Sequence, residues 1–226
     1  MVLPNHILII PDGNRRYAKG KNLDLKVVYK HIADHVTTEL IDYLLLKRKI
    51  KELSFFAIAR NNVLQREGLG LKEICDAQVA AYDSWLKNKE FLKNIKFKFI
   101  GDLDLLPSFY VKKAKELENA TKGNTAAICN LLTAYDTKWE LYKAIEKIRD
   151  KKVKLANDAI YEYLEIQNHI DMVVRTGYEK RFSTCPLIQI EYAELFFTDY
   201  YYPELTIEKL NKLLNEYGER ERRFGK

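Results

Sequence analysis

A chain of 226 residues, 47% apolar and 12% aromatic, is long enough for one large α/β domain with a substantial core, or at most two small domains. Its net charge of +6 favours an anionic partner: phosphates, nucleic acid or an acidic membrane surface. Three cysteines (Cys75, Cys129, Cys185), far apart and without CxxC or CxxH spacing, argue against a zinc site or a disulfide framework and fit a reducing cytoplasm. The first residues lack a basic stretch followed by a long apolar run, and no apolar run approaches the ~18 residues of a membrane span, so neither a signal peptide nor a transmembrane helix is expected.

The first apolar run, His6–Ile10, predicts a buried strand that leads straight into Asp12, Gly13 and Asn14 and then two adjacent arginines, Arg15 and Arg16. Asp12 is able to ligate Mg²⁺, Gly13 lets backbone N–H groups approach an anion, and the arginines offer fixed forks for phosphate oxygens. A carboxylate at the carboxyl end of a strand, ahead of a helix start, lies where ligands sit in open α/β sheets. Taken alone, the segment reads equally well as a strand, a turn and a solvated basic helix.

Helical spacing over 26–48 precedes a strand at Leu53–Ile58. A second helical stretch, 70–94, has a stripe of Leu69, Leu71, Ile74, Ala77, Gln78, Ala81, Trp85 and Leu86, whose generic reading is core packing. Strand Phe97–Ile100, helix 108–120, strand Ala126–Leu132 and helices 137–149 and 156–168 follow, with a charge-rich break at 147–155. Strands Met172–Val174 and Leu195–Phe197 and helix 206–216 complete the series. Strands alternating with longer helices predict an α/β fold: a single domain over 1–226 with a mostly parallel central sheet of about six strands flanked by helices. No repeat, Pro-rich linker or low-complexity tract divides it.

Five segments carry a resemblance that spans the chain. They are IIPDGNRRYAK (9–19), FFAIARNNVLQR (55–66), FKFIGDLDLLP (97–107) with TKGNTAAICNLLTAYD (121–136), DMVVRTGYEKRFSTCPLIQIEYAELFFTDYYYPEL (171–205) and RERRFG (220–225). Together, and in this order, they resemble the cis-prenyltransferase family, the undecaprenyl diphosphate synthases and their relatives, in an archaeal-looking form. The resemblance implies condensation of an allylic prenyl diphosphate with isopentenyl diphosphate to a Z-prenyl diphosphate, Mg²⁺ as cofactor, an apolar tunnel for the growing chain, and a homodimer. It also allows peripheral membrane contact for a lipid product. By the same resemblance, Asp12 holds metal and diphosphate, and Gly13, Asn14, Arg15 and Arg16 form the allylic diphosphate cradle at a helix start. Asp12, Asn14 and Asn62 are the catalytic candidates. Arg175, Arg181 and Ser183 match the isopentenyl diphosphate site, and Glu194 matches a glutamate helping to hold the metal from a neighbouring strand; its plain alternative is a salt bridge to one of those arginines. Arg223 and Gly225, in the tail, match residues that reach a dimer partner's site, where the plain alternative is a frayed basic terminus. The helices at 26–48 and 70–94 become tunnel walls, with Trp85 and the Tyr43-Leu44-Leu45 region as candidates for limiting product length.

Departures from the family pattern gather on the allylic side. A Gly-His pair becomes Val28-Tyr29, and His31 falls on another helix face. A Ser-Thr-Glu-Asn stretch becomes Ala59-Arg60-Asn61-Asn62, followed by Val63, and an expected arginine is Gln65, with Arg66 or Arg60 as possible substitutes. Asn-Tyr-Gly-Gly-Arg becomes Ala134-Tyr135-Asp136-Thr137-Lys138, and a serine-glycine pair after Arg175 is reduced to Thr176-Gly177-Tyr178. The metal and isopentenyl side is kept while the acceptor side is rewritten. Two alternatives therefore stand beside regular condensation: irregular coupling of short prenyl diphosphates, and a non-catalytic subunit of a heteromeric enzyme. Trans-type synthases are disfavoured by the lack of Asp-Asp-x-x-Asp, and nucleotide binding by the lack of GxxxxGK[ST] and GxGxxG. With no aromatic-basic module, no nucleic-acid partner is expected.

Overall fold

The computed structural model describes residues 2–65, 70–151 and 159–221. Six strands form one sheet: β1 (His6–Ile10), β2 (Glu52–Ala59), β3 (Ile95–Ile100), β4 (Ala127–Tyr135), β5 (Met172–Arg175) and β6 (Glu194–Phe197), in the order β3-β4-β2-β1-β5-β6. Every pairing is parallel, so the expectation of a mostly parallel sheet becomes an entirely parallel one.

All five residues of β1 are buried because both sheet faces are covered. Ile7 and Ile9 pack with the larger core, against α2 (Leu25–His31), α3 (Thr38–Ile41), α5 (Leu71–Lys87), α7 (Ser108–Thr121) and α9 (Ile207–Glu219). Leu8 and Ile10 face a second core with Phe56, Leu132, Ile166, Ile170, Val173, Cys185 and Ile190. The chain winds from β1 to β2, β3 and β4 on one side and returns to β5 on the other. β1 is thus the point where strand order reverses, and a crevice opens beyond its carboxyl end.

Three predicted helices differ in detail. The run over 26–48 is continuous, but π-helical turns at Ile32–Thr37 and Asp42–Lys47 interrupt its α-helical geometry. Such turns recur at functional sites, and the first carries residues that line the channel described below. The 70–94 stretch breaks at Asn88, whose backbone is extended (φ −94°, ψ 90°) and whose side chain accepts from Phe91 N at 3.1 Å, starting α6 (Lys89–Leu92). The helix expected at 156–168 is only a 3-10 turn, Ala159–Glu162, over its described part. Its apolar spacing serves another purpose: Leu164 and Ile166 are buried, while Glu165 N and Ile166 N donate to Glu140 Oε1 of α8 (Thr137–Lys151) at 2.9 and 3.0 Å. A side chain, not a helical carbonyl, satisfies that backbone.

Candidate active site

The loop after β1 turns at Gly13, which adopts φ 95°; a Cβ there would stand 2.2 Å from the Tyr201 ring, so glycine is required twice over. The turn delivers Asn14, Arg15 and Arg16 on α1 (Asn14–Gly20), a helix of two turns. Across the crevice, the register Ile10↔Arg175 sets the end of β5 beside Asp12. Thr176 locks the two strand ends: its Oγ1 accepts from Asp12 N at 2.9 Å and lies 3.0 Å from Asp12 O.

Asp12 is the hub. Its Oδ2 meets Arg175 Nη2 at 2.8 Å, and its Oδ1 meets Arg16 Nη2 at 3.1 Å and accepts from Gly13 N at 2.6 Å. Burial pulls the carboxyl group up, but the hydrogen bond and charge of Arg175, the Gly13 N–H and the charge of Arg16 together outweigh it. The net effect holds Asp12 below the usual carboxylate range, ionised at neutral pH. Arg175 is almost fully buried, and its Nη1 also reaches Ser183 Oγ at 3.2 Å and the Arg181 carbonyl. Its Nε is buried without a partner. Ser183 sits at φ 57°, an unfavoured backbone for a non-glycine residue at a site where it holds an arginine fork.

A cavity of about 700 Å³ opens over this cluster. Asp12, Gly13, Asn14, Arg15, Arg16, Asn62, Arg175, Arg181 and Ser183, nine of the twelve residues anticipated from the sequence, line it together. Lys19, Tyr29, Asn61, Glu179 and Thr184 were not among them and also face it. Glu179 is the informative omission: Oε1 pairs with Arg16 Nη1 at 3.0 Å and Oε2 with Arg181 Nη1, so one carboxylate bridges the arginines of the two anticipated phosphate sites. Its place between Arg175 and Arg181 in the sequence was the available signal. Arg60 faces elsewhere, tied to Asp102 at 3.1 Å, and His31 stacks on exposed His35 at 5.4 Å; neither lines the cavity. Arg66, Leu69, Arg223 and Gly225 lie outside the described residues.

Glu194 stands apart from the cavity. The register Met172↔Glu194 puts it at the amino end of edge strand β6, the far end from the Arg175↔Phe197 pair that flanks Asp12. There it pairs with Arg220 Nη1 at 2.9 Å. It joins β6 to the end of α9 and is not brought to the carboxylate of its own chain's Asp12. The salt bridge it makes is thus to Arg220, not to Arg175 or Arg181.

Among the described residues, no three His, Cys, Asp or Glu side chains come together as a metal cage. An ionised carboxylate, Asp12, facing a phosphate-sized cationic cavity instead fits the usual Mg²⁺ arrangement, with one or two carboxylates and the remaining ligands from phosphate oxygens and water. Asn14 lines the same space, and its Oδ1 is buried without a hydrogen-bond partner.

The cavity narrows into a second, smaller one of about 60 Å³, room for only a few water-sized groups. Pro11, Asn14, Tyr29, Ala57 and Ile74 border both. The remaining lining of the channel includes Ile32, Ala33 and Thr37 from the 26–48 run, Ala77, Gln78, Ala81, Tyr82 and Trp85 of α5, and Tyr202. Trp85 is fixed by stacking on Phe97 (centroids 5.1 Å apart) and by donating to Thr38 Oγ1 at 2.9 Å. Tyr43 is turned away, bonding Asn211 at 2.6 Å, and Leu44 and Leu45 are core.

Five cationic and two anionic side chains around a wide cavity, continuous with a narrow apolar channel, define a binding site for a molecule with an anionic head and an apolar tail. The chain belongs to the prenyltransferase family described as putative undecaprenyl diphosphate synthase, whose model matches residues 10–225. It is 34% identical to the geranylgeranyl-diphosphate-specific tritrans,polycis-undecaprenyl-diphosphate synthase of Pyrobaculum aerophilum, over 99% of this chain and 97% of that one. A probable undecaprenyl diphosphate synthase from Campylobacter jejuni superposes with a TM-score of 0.82 at 26% identity, each chain fully covered. Lavandulyl diphosphate synthase from Lavandula x intermedia, solved with dimethylallyl diphosphate, has a TM-score of 0.88 over 99% of both chains; at 21% identity it speaks for the fold alone.

Proposed function

We propose that the chain joins an allylic prenyl diphosphate to isopentenyl diphosphate, releasing diphosphate and leaving a new Z double bond. One observation carries the reading. Asp12 to Arg16 and Arg175, Arg181 and Ser183, distant in sequence, converge on one cavity that continues into an apolar channel. In this reading Arg15 and Arg16 hold the allylic diphosphate, Arg175, Arg181 and Ser183 hold isopentenyl diphosphate, and the channel takes the hydrocarbon. Mg²⁺, held by Asp12 and diphosphate oxygens, would neutralise charge on the departing group. Arg175, bonded to both Asp12 and Ser183, keeps the two head groups in register. In this reading Asn14, at the border of cavity and channel, and Asn62 orient the head groups by hydrogen bonding, and the proton lost from isopentenyl diphosphate passes to a diphosphate oxygen. The working form is a homodimer in the cytoplasm; the latter is supported by three buried, unpaired thiols.

The small channel favours short substrates and products, which keeps irregular coupling of two short prenyl diphosphates as a second reading. Purified protein with Mg²⁺, labelled isopentenyl diphosphate and primers of increasing length decides between them. Regular condensation gives labelled Z-products. Irregular coupling gives product from dimethylallyl diphosphate without isopentenyl diphosphate, and no turnover with any primer contradicts both. Trp85→Ala should lengthen the product distribution, because it removes a bulky, firmly held side chain from the channel lining.

A further inference from the structure

Tyr178 adopts φ 64°, a left-handed backbone that bulky side chains seldom take and glycine takes freely. The conformation is pinned on either side: Gly177 N donates to Tyr200 O at 2.7 Å and Tyr178 N to Thr198 O at 3.1 Å. Burial does not explain the side chain there, since Tyr178 is 52% exposed. Its ring has a specific neighbour instead, meeting the Tyr201 ring edge-on at 5.2 Å and 69°. The centroid of Tyr201 in turn lies 5.6 Å from the Arg16 guanidinium carbon, and its ring has a second edge-on neighbour in Tyr17, 6.4 Å away. The same Tyr201 ring closes the space above Gly13. Arg16 is therefore held on three sides, by Asp12, Glu179 and the Tyr201 face.

We propose that Tyr178 is a positioning residue: its ring, presented by a left-handed backbone, buttresses Tyr201 against Arg16 and so aims the Arg16 fork at the allylic diphosphate. This rests on the assignment of Arg16 to that diphosphate. A tyrosine at a backbone position suited to glycine then has a function, strain accepted locally in exchange for order in the cradle. A cation over an aromatic face at a partly exposed site is a modest interaction, so the effect is on affinity and not on the chemical step.

Four proteins test it: wild type, Tyr178→Gly, Tyr178→Phe and Arg16→Ala, compared by calorimetric titration with inorganic diphosphate and Mg²⁺ and by steady-state kinetics. Tyr178→Gly should keep or raise the melting temperature, weaken diphosphate binding about two- to fivefold, and raise the allylic KM by the same factor. Its kcat and its KM for isopentenyl diphosphate should hold, a split that a merely structural role would not produce. Tyr178→Phe, which keeps the ring, should match wild type. Tyr178→Asn, which also tolerates the left-handed backbone, serves if the glycine variant does not fold. Wild-type affinity in Tyr178→Gly beside a weakened Arg16→Ala overturns the buttress, and so does a Tyr178→Phe protein as weak as Tyr178→Gly. If Arg16→Ala itself binds diphosphate like wild type, the assignment of Arg16 fails instead.

Discussion

β1 carries a buried polar cluster at each end, and the two differ in what reaches them. At the carboxyl end, Asp12 and Arg175 open onto a cavity of about 700 Å³. At the amino end, His6 Nε2 lies 2.8 Å from Ser54 Oγ, and the Glu52 carboxylate accepts from Asn130 and Asn168, each at 2.6 Å. Serine, histidine and glutamate in one cluster have the composition of a nucleophilic triad. Yet Ser54 is fully buried, and His6 Nδ1 stands 3.9 Å from Glu52, beyond hydrogen-bond range. Chemistry-bearing residues make a site only where a substrate can arrive; the amino-end cluster ties three strands together and the carboxyl-end cluster faces an open cavity.

If that contrast is right, variants at one end change turnover and variants at the other change stability. The largest effect is expected for Arg175→Met, which strips Asp12 of its main counter-charge and removes the fork shared with Ser183. Turnover should fall by about a hundredfold to a thousandfold, measured as labelled isopentenyl diphosphate incorporated. Glu52→Gln turns an amide toward two amide donors and should cost about 2–3 kcal/mol in urea unfolding, with kcat per folded molecule unchanged. A fall in kcat there would erase the distinction between the two ends.

A smaller effect follows from protons. Burial lowers the His6 pKa from 6.5, outweighing Glu52, Asp171 and local backbone groups that act to raise it. The unfolded chain then binds more protons than the folded one as pH drops below 6.5, so stability declines on acidification through that region. Asp12, depressed from 3.8, adds a loss in the same direction only below that value. His6→Asn should flatten the slope of unfolding free energy between about pH 7 and 5; an unchanged slope would remove His6 from the account. Least of all, Glu194→Gln breaks a partly exposed pair with Arg220 and should cost at most about 1 kcal/mol.

Much of this was legible in the sequence, for identifiable reasons. Ile7 to Ile10 read as a buried strand and Asp12 to Arg16 as an anion site at its end, while Arg175, Arg181 and Ser183 were marked by the family resemblance; the parallel sheet brings both groups to its carboxyl edge. What stayed hidden depended on partners far along the chain. The apolar spacing after residue 156 looked helical, but Glu140 takes the backbone donors a helix would need. Glu194 lay in a matching motif, yet its distance from Asp12 is set by the β5–β6 register, which no local pattern encodes. Apart from its place between Arg175 and Arg181, Glu179 carries no local signal of its own, because a carboxylate fits an anion site only through the two arginines it bridges.

The central claim, that Asp12 serves the transferred head groups and not the fold, is tested most directly by Asp12→Asn. Asparagine keeps the volume and one acceptor oxygen of the carboxylate, for Arg175 or for Gly13, whereas alanine would leave the buried guanidinium with neither. With Mg²⁺, an allylic primer and labelled isopentenyl diphosphate, wild type should form product, and Asp12→Asn, with its melting temperature within a few degrees of wild type, should form about a hundredfold less. A folded Asp12→Asn protein that turns over at the wild-type rate would contradict the account.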